Sequence, residues 1–233
     1  MAGSVWTRTK ASAPRETLSR EQIVRAALRL LDEEGLAGLS MRKLAERLNA
    51  GTTSLYWHVE TKDDLVELVI DEVYGEVDIP EPELAGWRNG ATLFAHSLRA
   101  TILRHPWLPA VINTRPSIGP HAMDVGSRGL ALFGAAGFKD LEIDFAMSSV
   151  MSYVFGITTS EVAWRTMVEE SGTSEQEWAS TVMAEGLRAT EDYPQMQESL
   201  NRRNVDPGAL MNQSFTFGLE SLLDGLEGRL EQS

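Results

Sequence analysis

Apolar positions recur every three to four residues from Ile23 onward, the pattern of helices that bury one face. Ile23, Ala27, Leu30 and Leu31 make the first stripe, opened by the capping-box pair Ser19 and Gln22 and closed at Gly35. Ser40 opens a second, shorter helix with Met41, Leu44, Ala45 and Leu48 inward. Asn49-Ala50-Gly51 then breaks it, because asparagine tolerates the left-handed backbone that a tight exit requires. A third helix runs from Thr52 to about His58. Thr61 caps a fourth, with Leu65, Leu68, Val69 and Val73 inward and Asp63 and Asp64 at its positive end. After the break at Pro80, Pro82 and Gly86 the pattern predicts helices over 87–105, 107–113, 120–136, 140–171, 174–190, 194–203 and 207–231. No run alternates strictly enough for a sheet and no solenoid period is present, so the predicted fold class is all-α.

Two short helices joined by about three residues, the second polar outside, form a helix-turn-helix. The major groove of B-DNA admits one such helix, whose first residues must reach the base edges. Leu55 points to a core with Leu31, Leu44 and Leu48, while Thr52, Thr53 and Ser54 are short enough for close backbone approach. Tyr56, Trp57 and His58 are too polar and too consecutive all to be buried. They either pack the third helix onto the fourth or are covered by a partner. Arg42 is a candidate for bidentate guanine contact, and Lys62, beside the first amides of the fourth helix, for a phosphate anchor.

The net charge of −13 argues against nucleic acid until its distribution is considered. Residues 1–62 carry ten Lys/Arg and seven Asp/Glu, net +3, whereas the remainder carries eleven against 27, net −16. A basic head on an acidic body touches phosphates at one end only. Residues 1–18 show no periodicity and read as a flexible arm, either a disordered tail or one whose Arg8, Lys10 and Arg15 are candidates to enter a minor groove. Residues 19–64 read as the helix-turn-helix domain, and 65–233 as a larger helical domain. The absence of cysteine removes disulfides and thiolate metal sites. With no secretion signal and no membrane-length apolar run, a cytoplasmic protein without membrane contact is expected. No nucleophilic cysteine, HExxH or phosphate-loop pattern occurs, and His58, His96, His105 and His121 lack ligand spacing. Neither an enzyme, a metal nor a cofactor is expected.

The segment from Leu18 to Val73, with Leu55-Tyr56-Trp57-His58-Val59 followed by Lys62 and Leu65, resembles the DNA-binding domain of the TetR (tetracycline-repressor) family. Thr114-Arg115-Pro116, the Gly137-Phe138 helix join and the C-terminal FTFGLESLLDGLEGRL extend the likeness to the family's tetracycline-binding subgroup. The resemblance implies a homodimer that binds a palindromic operator, represses transcription and is released by a small molecule in the C-terminal domain. It implies base contacts from Arg42, Thr52, Thr53 and Ser54, and backbone contacts from Tyr56, Trp57, His58 and Lys62. Thr52-Thr53 replaces the Gln-Pro of the tetracycline-binding members, so a different operator is expected. Activation, or a carrier with a vestigial head, stays open as an alternative.

The helices at 140–171 and 207–231 are apolar on more than one side, through Phe145, Val150, Val154 and Ile157, and through Phe215, Phe217, Leu219, Leu222, Leu223 and Leu226. The resemblance makes them the dimer's four-helix bundle, with Gly218 and Gly225 allowing close approach. An intrachain core is the other reading. Phe94, Leu98, Trp107, Val111, Arg115, Met123, Met147, Met151 and Phe155 are the candidate ligand residues, with Trp164 and His121 as further pocket material. Methionines adapt and aromatics stack on flat molecules. The subgroup's two metal-chelate histidines have no counterpart: Val111 or Ile112 and Asp78 stand at those places. A metal-free aromatic effector is therefore expected.

Overall fold

The computed structural model describes residues 18–203 and 206–232. Their regular structure is helical: α1 (Arg20–Gly38), α2 (Met41–Arg47), α3 (Thr52–Tyr56), α4 (Lys62–Tyr74), α5 (Pro82–Ala85), α6 (Trp87–Arg104), two 3₁₀ turns (Leu108–Ala110 and Ile112–Thr114), α7 (Pro120–Ala136), α8 (Leu141–Ser171), α9 (Glu175–Ala189), α10 (Pro194–Arg202) and α11 (Pro207–Leu230). No strand occurs among the described residues.

The caps read from the sequence form. Ser19 Oγ accepts from Gln22 N at 3.2 Å while Gln22 Oε1 accepts from Ser19 N at 2.8 Å. Thr61 and Asp64 repeat the arrangement at the start of α4. Gly35 leaves the helical region at φ +66, as a stop should, but one further turn carries α1 on to Gly38. Over 107–113 two 3₁₀ turns replace the predicted helix. Pro116 holds Arg115 extended (φ −142, ψ 155), and the Thr114 hydroxyl takes the Val111 carbonyl at 2.7 Å, so the segment cannot propagate. The short α5 was not predicted; Pro82 opens it, and Gly86, at φ +69, ends it.

The described residues divide into two compact units, and the division falls within α8 between Ser148 and Ser149. In the first unit α1 packs on α2 and α4, α2 on α3, and α7 on α4 and α6. Ile23, Leu30, Leu31, Leu44, Leu55, Leu65 and Val69 are at most 1% exposed and form the core of the head. A leucine buried to this extent contributes roughly 2–3 kcal/mol, and that burial, rather than helix propensity, holds the five-residue α3 in place. Phe94, Leu132 and Phe133 are fully buried in the α6–α7 layer, and Phe138 meets Trp87 edge-to-face at 6.3 Å.

In the second unit the Tyr153 hydroxyl donates to the Phe215 carbonyl at 2.8 Å and also reaches that of Ser214 at 3.2 Å. Gly218 makes this possible: a Cβ there would lie 2.7 Å from ring carbon Cε2 of Tyr153. Its small size serves an intrachain contact between α11 and α8. Gly225 has open space around its Cβ position. Neither α9 nor α10 buries a residue completely.

Candidate nucleic-acid interface

The turn between α2 and α3 aims the recognition helix. Ser40 Oγ caps α2 by accepting from Lys43 N at 3.2 Å, and Ala50 N returns to Ala45 O at 2.9 Å. Asn49 takes the left-handed conformation (φ +50) predicted for it. Leu55 is fully buried, which turns the remaining faces of α3 outward. Thr53 is exposed, and Thr52, Ser54 and His58 are half-buried. Tyr56 is 47% and Trp57 63% exposed, so each ring keeps a large surface open to a partner. Large aromatic surface on a short helix is costly to leave in water and marks a face that something covers.

Arg42 projects from the first turn of α2 with 86% of its side chain exposed, and among the described residues Glu46 is its only ion-pair neighbour, at 3.8 Å. An exposed i,i+4 pair of this kind is worth at most a few tenths of a kcal/mol, about 0.3–0.5, and yields easily to a stronger partner. Lys62 is exposed and its Nζ donates to the Leu36 carbonyl at 3.4 Å. Two neighbouring cations are committed elsewhere. Lys43 pairs with Glu34, and Arg47 bridges Glu33 at 2.6 Å and Glu34 at 3.5 Å, pinning α2 to α1. The sequence reading missed this clamp; Glu33-Glu34 opposite Lys43 and Arg47 was the available signal. Arg8 and Lys10, and Arg15 with them, lie outside the described residues.

A buried joint ties the head to α6. His105 is 2% exposed; Nδ1 lies 2.7 Å from Asp32 Oδ1 on α1, and Nε2 3.1 Å from Glu76 Oε2 just after α4. Trp107 Nε1 donates to the same Asp32 oxygen at 2.8 Å, and Arg104 pairs with Glu76. Burial raises the Glu76 pKa, but His105 and Arg104 outweigh it and hold the carboxyl below the usual glutamate range. Asp71 on α4 makes a second link: Oδ1 accepts from Ala122 N at 2.9 Å and Oδ2 from His121 N at 3.4 Å, capping α7 from another helix. Arg115 pairs with Asp63 at 2.9 Å, at the foot of α4, while its Nε is buried without a partner.

The nine candidate ligand residues do not line one cavity. Phe94 is sealed in the core, Met147 lies against Gly129, and Met123 is 53% exposed. Trp107 is buried and its indole N–H serves the joint; Val111 is half-buried between the 3₁₀ turns. Leu98 borders a void of about 10 Å³ with Tyr74 and Ile112, and Arg115 another of about 10 Å³ with Glu67, Asp71 and Tyr74. Each is room for one water. Met151 and Phe155 are half-buried in the second unit. That unit has a roomier apolar pocket of about 320 Å³, lined by Trp164, Val182, Met183, Leu200, Leu210 and Met211 among others. Of these only Trp164 stood out in the sequence. Asp78 is exposed and pairs with Arg128 at 3.4 Å. Among the described residues no three His, Asp or Glu side chains converge as a metal site would require. No helix among them is long and apolar enough to cross a membrane.

Comparison with known proteins bears directly on this arrangement. Residues 23–69 match the family described as "Bacterial regulatory proteins, tetR family", and residues 79–230 match "Tetracyclin repressor-like, C-terminal domain". The chain belongs to the TetR family. It is a helix-turn-helix transcriptional regulator with the family's helical C-terminal domain. It is 43% identical over 194 residues to an HTH-type transcriptional regulator of Saccharopolyspora erythraea, covering 82% of this chain and 79% of that one. It is 36% identical over 223 residues to the HTH-type transcriptional repressor DrrR1 of Streptomyces coeruleorubidus, covering 94% and 81%. Among solved structures, ActR of Streptomyces coelicolor in complex with actinorhodin is 28% identical with a TM-score of 0.77, over 92% of the regulator and 99% of ActR.

Proposed function

We propose that this TetR-family regulator is a cytoplasmic repressor that binds a palindromic operator as a homodimer and leaves it when a small, metal-free aromatic molecule occupies the C-terminal domain. The observation that carries the reading is the outer face of α3, where Thr52, Thr53 and Ser54 precede the exposed rings of Tyr56 and Trp57. Thr and Ser reach base edges, Arg42 reads guanine, and Tyr56, Trp57, His58 and Lys62 grip the backbone. Arg8 and Lys10 on the arm add minor-groove contacts. The similarity to a protein named a repressor supports the sign of regulation.

Exposed Phe145 on α8 and Phe217 on α11, 61% and 75% accessible, supply apolar surface for a second copy. ActR in complex with actinorhodin supports an aromatic effector. Phe94, Leu98, Trp107, Val111, Arg115, Met123 and Met147 in the first unit, and Met151 and Phe155 in the second, remain candidate ligand residues, each unit taken by itself. Gel shift against DNA flanking the regulator's own gene tests the reading. Trp57→Ala and Arg42→Ala should each weaken binding at least tenfold, about 1.4 kcal/mol or more. Wild-type affinity in both variants would refute the assignment of this face. Thermal shift with aromatic polyketides, with and without magnesium, tests the effector; stabilisation only with magnesium would overturn the metal-free part.

A further inference from the structure

The cations of the head are unequally occupied. Lys43 and Arg47 are held by Glu33 and Glu34, and Arg42 leans on Glu46. Arg25 and Arg29, one turn apart on the exposed face of α1, stand differently. With Leu18 and Gln22 they form one wall of an open cleft of about 660 Å³. Its other wall is Leu48, Asn49 and Ala50, the turn that leads directly into α3. Among the described residues no acidic side chain lines the cleft. Arg29 has no hydrogen-bond or ion-pair partner among the described residues, and the Arg25 Nε donates to the Glu21 carbonyl at 3.3 Å.

We propose that Arg25 and Arg29 form a second phosphate-binding edge, which holds the sugar–phosphate backbone of duplex DNA beside the N-terminal end of α3. This rests on the operator-binding reading and adds residues that the reading lacks, since its backbone contacts lie at the far end, from Tyr56 to Lys62. A helix in a major groove about 12 Å wide has a phosphate wall on either side, and cations beyond only one of its ends leave it free to rock. Guanidinium groups grip phosphate through two parallel donors, and the cleft is open enough for a backbone strand rather than a single ion. Phosphate contacts set register without reading sequence, so this edge contributes affinity and insertion depth rather than base preference.

The test uses the full chain and two probes of equal length: a duplex that the wild type selects from a randomised pool, and a random-sequence duplex. Affinities are measured across a salt series. Each phosphate contact contributes about 0.9 to the slope of log K against log salt. The double variant Arg25→Gln/Arg29→Gln, in a dimer, should therefore lose about 3–4 from the slope on both probes, with the ratio between probes unchanged. Arg25→Lys/Arg29→Lys should keep most of the slope, because the charge remains. Both variants should melt with the wild type, their side chains being exposed. A slope equal to the wild type's on both probes, or a glutamine variant whose base preference changes, overturns the proposal. A wild type that prefers neither probe would sink the operator reading, while the slope on the random duplex would still decide whether this edge exists.

Discussion

Replacing His105 by leucine probes the joint between α1 and α6. The imidazole is 2% exposed and its nitrogens lie 2.7 Å from Asp32 and 3.1 Å from Glu76, so the substitution deletes one hydrogen bond to a charged acceptor, or two when both ring nitrogens carry a proton, while filling most of the space. Hydrogen bonds to charged groups are worth about 1.5–3 kcal/mol each. The full sum overstates the loss. The side chains of Asp32 and Glu76 are 31% and 28% exposed and can be partly re-solvated, Trp107 stays on Asp32, and Arg104 stays on Glu76. A net cost of about 2–3 kcal/mol remains, which for a chain of this size lowers Tm by roughly 4–12 °C. His105→Gln retains an amide donor and should recover about half. Circular dichroism melts at one fixed protein concentration measure both, since dimerisation makes Tm concentration-dependent. If His105→Leu melts within about 1 °C of wild type, or the glutamine variant is no better than leucine, the joint does not hold these helices together.

Three further outcomes follow from the same geometry. Leu55→Ala should cost about 2–5 kcal/mol, measurable by urea denaturation, and release α3, abolishing operator binding at temperatures where the rest stays folded. Gly218→Ala should cost about 1–3 kcal/mol, because a methyl group meets the Tyr153 hydroxyl and ring; Tyr153→Phe in the same background should relieve it only in part, since Cε2 and Cζ remain 2.7 Å from the new carbon. The lowered Glu76 pKa means that the folded state binds fewer protons than the unfolded one once pH falls into the ordinary glutamate range. Its contribution is complete above that range and is lost as pH drops through the depressed value. Glu76→Gln should thus flatten the acid side of the stability profile below about pH 4.5 and leave the alkaline side unchanged.

The head was readable because its structure is local. The Ser19–Gln22 and Thr61–Asp64 boxes, the left-handed Asn49 and the inward Leu55 each depend on neighbours within a few residues. The α7 to α11 boundaries followed for the same reason, from apolar spacing and from the prolines at 120, 194 and 207. Contacts between distant segments were not readable. Trp107 looks like pocket material as an isolated aromatic, and only the fold brings Asp32, 75 positions earlier, to its indole N–H. Arg115 and Asp63 belong to the same class, as does Gly218, whose partner Tyr153 is on another helix. The two 3₁₀ turns over 108–114 were misread because apolar periodicity registers a helical face but not the proline and side-chain contacts that shorten it.

Sedimentation of the full chain with a duplex carrying two half-sites one helical turn apart tests the central claim most directly. The account predicts two chains per duplex, with affinity that falls steeply as salt rises. One chain per duplex, or equal binding to a scrambled duplex even at low salt, would contradict it.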